Sequence, residues 1–313
     1  MSKYVFGVDI GGTNIKMGLV GPKINVIDKT KFATKSFSRD RKKLIKAIVG
    51  HIDGLIVKNG LVKKDICGIG VGLPGLVDTP RGVVRFLPNI PGWRDVPLKK
   101  DLEKKLGIPV FLENDVNLIT LGEWRYGAGR DSKNMVCMTL GTGVGSGLIL
   151  DGQLYRGPGF AAGELGHVPL NEEGPACGCG GYGCLESYVG NKRLVARAQE
   201  IMKRKEVTLE EMNALAKEGN AGALKFWQET ATHIGNGLVG IVNMLNPERI
   251  VIGGGVSNNH EFLFKTINAV IKKRAMMTQS SMVKIVRAKL GNDAGILGAQ
   301  VLVRSHFSRR HAE

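Results

Sequence analysis

Aromatic side chains are scarce in this chain: 10 Phe, 5 Tyr and 3 Trp among 313 residues. Acidic residues are also few, 28 against 44 Lys and Arg, which leaves a formal net charge of +16. Such an excess raises the question of nucleic acid, because basic side chains laid along phosphates release counterions and bind without sequence preference. The distribution argues against it. Basic residues fall in scattered clusters, at 29–35, 39–46, 99–105, 203–205, 272–274 and 304–310, with few aromatics between them to stack bases. They read as solvated surface that would still draw a polyanionic substrate such as a nucleotide or polyphosphate. No nucleic-acid partner is expected.

Long hydrophobic runs are missing too. None approaches the roughly 18 residues of a membrane span, and Met1-Ser2-Lys3-Tyr4 leads straight into a strand pattern without a signal peptide, so no membrane partner and a cytoplasmic location are expected. Cysteines number five. An odd count fits a reducing compartment in which thiols act as metal ligands or core residues, and Cys67 and Cys137, set in apolar strand patterns, read as packing. A length of 313 residues favours two domains.

Tyr4–Asp9 reads as a buried strand, 14–20 as its antiparallel partner and Gly11-Gly12 as the turn between them, with a further strand at 26–33. Apolar residues at 44, 45, 48, 52, 55 and 56 predict a helix over about 38–59. A buried strand is expected at 66–73, a Pro- and Gly-punctuated loop at 88–97, a charged helix at 98–106 and a strand at 110–113. Asn114-Asp115 then caps a helix reaching about 126. Near 127–132 the pattern restarts as though duplicated. Strand 135–140, the turn Gly141-Thr142-Gly143-Val144-Gly145 and strand 146–150 repeat the opening device. A long helix at 221–245, strand 249–252, the turn Gly253-Gly254-Gly255, two more helices and a last one at 293–307 follow. The expected domains are 1–118 and 119–292, with the helix 293–313 packing back on the first.

Both glycine turns present backbone N–H groups where nothing bulky blocks a ligand, which suits phosphate oxygens. The second is no dinucleotide fingerprint, because that motif must open a helix and Gly147-Leu148-Ile149-Leu150 reads as strand. Three of the five cysteines lie in 177–184, ten residues and more beyond Glu164-Leu165-Gly166-His167. His167, Cys177, Cys179 and Cys184 can supply the four ligands of a tetrahedral Zn²⁺, with Gly178, Gly180, Gly181 and Gly183 to turn the chain. A disulfide is disfavoured by the compartment. Soft thiolates would complete the shell and leave the interleaved Glu164 and Glu186 to point at a substrate.

Asp9-Ile10-Gly11-Gly12-Thr13-Asn14-Ile15-Lys16 resembles the first phosphate motif of sugar kinases with the actin-like fold, and Leu140-Gly141-Thr142-Gly143-Val144-Gly145-Ser146-Gly147 resembles the second. Ile250-Val251-Ile252-Gly253-Gly254-Gly255-Val256 is similar to their adenosine motif. With Glu164-x-Gly-His167 and the cysteine run ending at Glu186, these motifs resemble the ROK family (repressors, open reading frames and kinases), in particular its bacterial glucokinases, over about 5–300.

The resemblance implies an α/β, actin-like (ribonuclease H-like) ATPase fold, with two domains flanking a nucleotide and sugar cleft and a small zinc-binding insert at 164–186. It implies ATP gripped by Gly11, Gly12, Thr13, Asn14, Lys16, Gly141, Thr142, Gly143, Gly253, Gly254 and Gly255, and Mg²⁺ held at Asp9. Asp115 maps onto the catalytic base. Sugar ligands map onto Asn114, Asp115, Glu164, His167 and Glu186, with Gly75 and Asn89 beside them. The expected activity is ATP-dependent phosphorylation of the 6-hydroxyl of glucose. Kinases of the same family acting on N-acetylmannosamine, N-acetylglucosamine or allose, and polyphosphate as donor, remain open alternatives. A sugar-sensing repressor of the family carries a DNA-binding segment ahead of the kinase-like part, for which Asp9 leaves no room. Relatives of this kind form homodimers or homotetramers, which is the expectation here.

Overall fold

A computed structural model describes residues 3–34, 40–87, 92–258 and 260–309. Contacts divide the chain into two units, the first Met1–Arg130, Arg156–Ala162 and Asn292–Glu313, the second Asp131–Tyr155 and Gly163–Gly291. In the first, β1 (Tyr4–Ile10), β2 (Asn14–Val20) and β3 (Val26–Ala33) precede α1 (Arg41–Lys58) and β4 (Ile66–Leu73). Three short strands follow, β5 (Leu76–Asp78), β6 (Val83–Phe86) and β7 (Arg94–Val96), then α2 (Leu98–Leu106), β8 (Val110–Asn114) and α3 (Asp115–Tyr126). The main sheet has the order β3-β2-β1-β4-β8. β1 and β2 are antiparallel with Asp9 opposite Lys16, while β1, β4 and β8 are parallel.

The second unit holds β9 (Met135–Leu140), β10 (Val144–Leu150), β11 (Gln153–Tyr155), α4 (Leu185–Val189), α5 (Asn191–Met202), α6 (Leu209–Lys217) and α7 (Ala221–Leu245). It continues with β12 (Arg249–Gly253), α8 (His260–Arg274), α9 (Met277–Met282) and β13 (Lys284–Arg287). Its sheet order, β11-β10-β9-β12-β13, repeats that of the first unit strand for strand, with the same antiparallel opening hairpin and parallel remainder. Within α7, Ala223, Phe226, Trp227, Ala231, Ile234, Leu238 and Val242 are buried at helical spacing and fix the helix to the core. The restart near residue 127 is therefore a duplication of architecture.

The last helix, α10 (Ala294–Arg309), belongs to the first unit. Side chains alternate across a strand, so Phe6, Val8 and Ile10 join the core that α1 covers with Leu44, Ile48 and Ile52, and the opposite face is left to Gly7 and Asp9. A Cβ on Gly7 would lie 2.7 Å from the backbone of Ile296, and one on Gly70 2.8 Å from Ala299 O. Glycines in the strands thus let α10 settle almost onto the sheet. The contact with α3 is closer still: a Cβ on Gly298 would lie 1.7 Å from Leu118 O and one on Gly122 2.3 Å from Ala294 O.

That packing moves the expected boundary. Residue 118 lies inside α3, one turn from its start, and α3 is locked to α10, while the first unit runs on to Arg130. Residues 156–162, expected in the second domain, also belong to the first unit. The loop expected at 88–97 contains β7, which completes a small antiparallel sheet, β5-β6-β7. The helix expected from residue 38 begins at Arg41, because Asp40 caps it by accepting from Lys43 N–H at 3.0 Å; residues 35–39 lie outside the described ones. Among the described residues no helix is long and apolar enough to cross a membrane.

Candidate active site

In the first unit the turn between β1 and β2 is closed by Gly11 N–H donating to Asn14 O at 3.0 Å. Thr34 braces it from behind: its Oγ1 donates to Gly11 O at 2.6 Å and its N–H to Thr13 O at 2.9 Å. Gly12 and Thr13 remain exposed at the tip. Asp9 ends the strand beneath the turn. Burial pushes its carboxyl above the ordinary range, opposed by the positive charge of Lys16, whose Nζ donates to Asn292 Oδ1 at 3.1 Å. A carboxylate made costly by desolvation is relieved by a bound cation, and a hard oxygen donor beside a phosphate-sized turn suits Mg²⁺.

At the end of β8, Asn114 is the N-cap of α3, its Oδ1 accepting from Val116 N–H at 2.9 Å and Asn117 N–H at 3.2 Å. Its Nδ2 donates to Gly75 O at 3.3 Å. Gly75 has φ 112°, a conformation that side chains resist. Asp115 begins the helix, with Oδ1 accepting from Val116 N–H at 2.9 Å. The structure thus brings Gly75, Asn114 and Asp115 together. Asn89, the remaining candidate from this half, lies outside the described residues.

In the second unit, the turn between β9 and β10 has Gly141 N–H donating to Gly143 O at 2.9 Å. Glu186, at the first turn of α4, reaches it: Oε2 accepts from Val144 N–H at 2.8 Å, and a Cβ on Gly143 would lie 2.3 Å from that oxygen. The sequence reading gave Glu186 to the sugar alone, yet one of its oxygens braces the glycine turn. Gly253, Gly254 and Gly255 follow β12, where Gly254 stands so near Leu140 that a Cβ would meet its O at 2.2 Å. Gly141, Thr142, Gly255 and Val256 line a cavity of about 460 Å³ whose other walls include Val195, Val207, Leu209 and Asn213. This volume lies within the usual range of small-molecule sites. The wall from α5 and α6 carries no motif; only Thr208, which caps α6 by accepting from Glu211 N–H, marks it in the sequence.

The ligand atoms of His167, Cys177, Cys179 and Cys184 all lie within 4.8 Å of one another. Cys177 Sγ stands 3.6 Å from His167 Nδ1 and Cys179 Sγ 3.7 Å from Cys184 Sγ. A tetrahedron with Zn–S near 2.3 Å and Zn–N near 2.0–2.1 Å has edges of about 3.8 Å (S–S) and 3.6 Å (S–N). The donor set suits zinc in its chemistry, and these two distances match the edges of such a shell, which would take His167 through Nδ1. Burial pushes the Cys184 thiol up to about 12, reinforced by its sulfur neighbours, while Gly181 N–H draws Cys179 below the ordinary thiol range. Glu164 is exposed just before the short 3-10 turn Leu165–His167. Gly183 makes the hairpin possible: with φ 64°, its Cα faces Asn171 O so closely that a Cβ would lie 1.7 Å away.

The ROK family pattern matches residues 5–306. A glucokinase of Halalkalibacterium halodurans is 36% identical over 96% of this chain and 95% of its own length. A xylose repressor of Bacillus spizizenii is 31% identical over 97% of this chain and 78% of its own. Among solved structures, a ROK family glucokinase from Streptomyces griseus in complex with glucose and AMPPNP is similar at a TM-score of 0.81 and 32% identity, over 96% of this chain and 99% of that one. With the family pattern spanning nearly every element described above, the chain belongs to the ROK family.

Proposed function

We propose that this ROK-family chain, a sugar phosphotransferase by its kinship, transfers the γ-phosphoryl group of ATP to the 6-hydroxyl of glucose. The observation that carries the reading is the arrangement at the start of α3. Asp115 is held at a helix N-terminus, its Oδ1 accepting from Val116 N–H, beside an Asn114 whose amide is already anchored to the helix and to Gly75. Phosphoryl transfer needs in-line positioning, neutralised charge and a group to take the hydroxyl proton. In the proposed reaction the sugar oxygen forms a bond to the γ-phosphorus, the bond to the bridging oxygen of ADP breaks, and the hydroxyl proton passes to Asp115.

The glycine turns at 11–13 and 141–143 would take phosphate oxygens on backbone N–H groups. The 460 Å³ cavity bordered by Gly141, Thr142 and Gly255 is the natural place for the nucleoside, its apolar Val195, Val207 and Leu209 suiting the faces of a base. Mg²⁺ held through Asp9 would neutralise phosphate charge. Asn114, Asp115, Glu164, His167 and Glu186 are the sugar ligands of this reading, since carboxylates accept from vicinal hydroxyls. His167, Cys177, Cys179 and Cys184 would hold Zn²⁺ with no open position left for chemistry, so that it would fix the segment that carries Glu164 and Glu186, with His167 Nε2 left to the sugar.

The test is ADP release, coupled to a spectrophotometric readout, over glucose, N-acetylmannosamine, N-acetylglucosamine and allose, repeated with polyphosphate as donor. Glucose with ATP should give the highest kcat/KM, and Asp115→Asn should lower kcat by the ~10²–10⁴-fold typical of lost general-base catalysis. A higher kcat/KM for an N-acetylated sugar would reassign the acceptor. Phosphate transfer to no sugar from either donor would end the kinase reading.

A further inference from the structure

The stretch Arg156–Ala162 leaves the second half of the chain and belongs to the first unit. Its sequence, Arg-Gly-Pro-Gly-Phe-Ala-Ala, offers few side chains to anchor it. It closes on itself through Ala162 N–H to Arg156 O at 3.0 Å. Its charged anchor is the guanidinium of Arg156, with Nε 2.7 Å and Nη2 2.6 Å from Glu113 Oε2. The other oxygen of Glu113, Oε1, accepts from Asn114 N–H at 3.1 Å and from Asn117 Nδ2 at 3.0 Å. One carboxylate, only 2% exposed, thus ties the 156–162 stretch to the backbone of Asn114 and to the first turn of α3.

We propose that Glu113 and Arg156 are a positioning pair for phosphoryl transfer, holding Asn114 and Asp115 in place against the 156–162 stretch. Only the carboxylate is fully buried, the Arg156 side chain being 25% exposed, and an ion pair that desolvates a carboxylate is a poor device for stability, since apolar residues of similar volume often do as well or better. Its use here, on the residue that precedes Asn114, suits orientation. The two oxygens divide the work: Oε2 takes the guanidinium, and Oε1 sets the backbone from which Asn114 caps the helix. Glu113 and Arg156 themselves touch no reacting atom in this scheme. The inference rests on the proposed role of Asp115 as the base.

The experiment uses the full chain and four variants, Arg156→Met, Arg156→Lys, Glu113→Gln and Asp115→Asn, with melting temperature, kcat and separate KM values for sugar and ATP. Misplacing a catalytic group by about 1 Å can cost ~10²-fold. Arg156→Met should lose kcat/KM for glucose on that order, through higher glucose KM and lower kcat, with ATP KM changed less than about twofold. Arg156→Lys should recover about tenfold of the loss, because it returns the charge but not the two-pronged donor. A folded Arg156→Met within about threefold of wild type, or losses shared equally by the two KM values, overturns the proposal. Should Arg156→Met fail to fold, Arg156→Lys and Glu113→Gln decide it: sugar-side loss supports the pair, and wild-type kinetics in both refutes it. Full activity in Asp115→Asn would sink the base assignment, whereas its inactivation beside a normal Arg156→Met would sink only the pair.

Discussion

On the proposed reading, in which His167, Cys177, Cys179 and Cys184 hold zinc, removing the metal should act on both substrates, although no step of the reaction passes through it. Structural zinc in small peptides binds with an apparent ~10–16 kcal/mol at neutral pH, comparable to the ~5–15 kcal/mol that holds a whole domain together. The stabilisation read in solution depends on free metal: at about a thousand times Kd it amounts to ~4 kcal/mol. In a unit of about 150 residues each kcal/mol shifts Tm by roughly 2–4 °C, so chelation should lower Tm by about 8–16 °C. The short hairpin around the cluster is otherwise held by backbone bonds, among them Leu170 N–H to Gly183 O, Gly183 N–H to Pro175 O, Cys177 N–H to Gly181 O and Leu185 N–H to Val168 O, and Cys179 is exposed.

The kinetic consequence follows from Glu186, two residues beyond Cys184. Its Oε2 accepts from Val144 N–H at the second glycine turn, so loosening the cluster frees a brace of the proposed phosphate site as well as the proposed sugar ligands. Chelated enzyme should show a raised KM for ATP together with a raised KM for sugar, restored by Zn²⁺ and not by Mg²⁺. The assay is metal content of the purified protein by mass spectrometry, with thermal melts and kinetics before and after treatment with a thiol-compatible chelator. Protein that contains no zinc yet melts and turns over the same after chelation refutes the account.

Asp9→Asn should raise the Tm of the ligand-free protein while abolishing Mg²⁺-dependent activity. Burial lifts the folded-state carboxyl above its unfolded value of 3.8, so its stabilising share is full below that value and is lost as pH rises through the folded one. The neutral amide avoids that loss, and the Tm gain should vanish at acid pH; an equal gain at every pH refutes the assignment. Gly298→Ala should unfold the first unit, because its Cβ would meet Leu118 O at 1.7 Å with backbone on both sides; a soluble variant within about 1 kcal/mol of wild type by urea melt would contradict this packing. Gly143→Ala meets only the carboxylate end of Glu186, at 2.3 Å. It should keep its fold by circular dichroism and raise KM for ATP by roughly 10–100-fold, as one charge-assisted hydrogen bond of ~1.5–3 kcal/mol is displaced.

What could be read from sequence was local. The hairpins at Gly11 and Gly141, the buried face of α1, the span of α7 and the cap at Asn114 follow from side-chain periodicity and turn chemistry that act within a few residues. The grouping of His167, Cys177, Cys179 and Cys184 was legible for the same reason, since soft side chains and glycines lie in one short segment. The misses have another origin. β7 has three residues, Arg94–Val96, and exists through its pairing with β6, while Thr34 reaches the first glycine turn from the end of a different strand. Nothing near 156–162 announces membership of the first unit, because the anchor is a carboxylate 43 positions upstream.

Glu186 shows how these levels join. Its distance from Cys184 in sequence marked it as a side chain aimed by the metal cluster, but only the fold discloses that the aim includes Val144 N–H. Gly143 then acquires a reason beyond the openness of a phosphate turn: any side chain there would occupy the position of the Glu186 carboxylate. Two motifs that read as separate, one for phosphate and one for metal, share a single hydrogen bond. A substitution in either is therefore expected to register in the other, and a double-mutant cycle between Gly143→Ala and Glu186→Gln should show non-additivity above the ~0.3–0.5 kcal/mol of independent sites. Additive losses in kcat/KM for ATP would separate the motifs again.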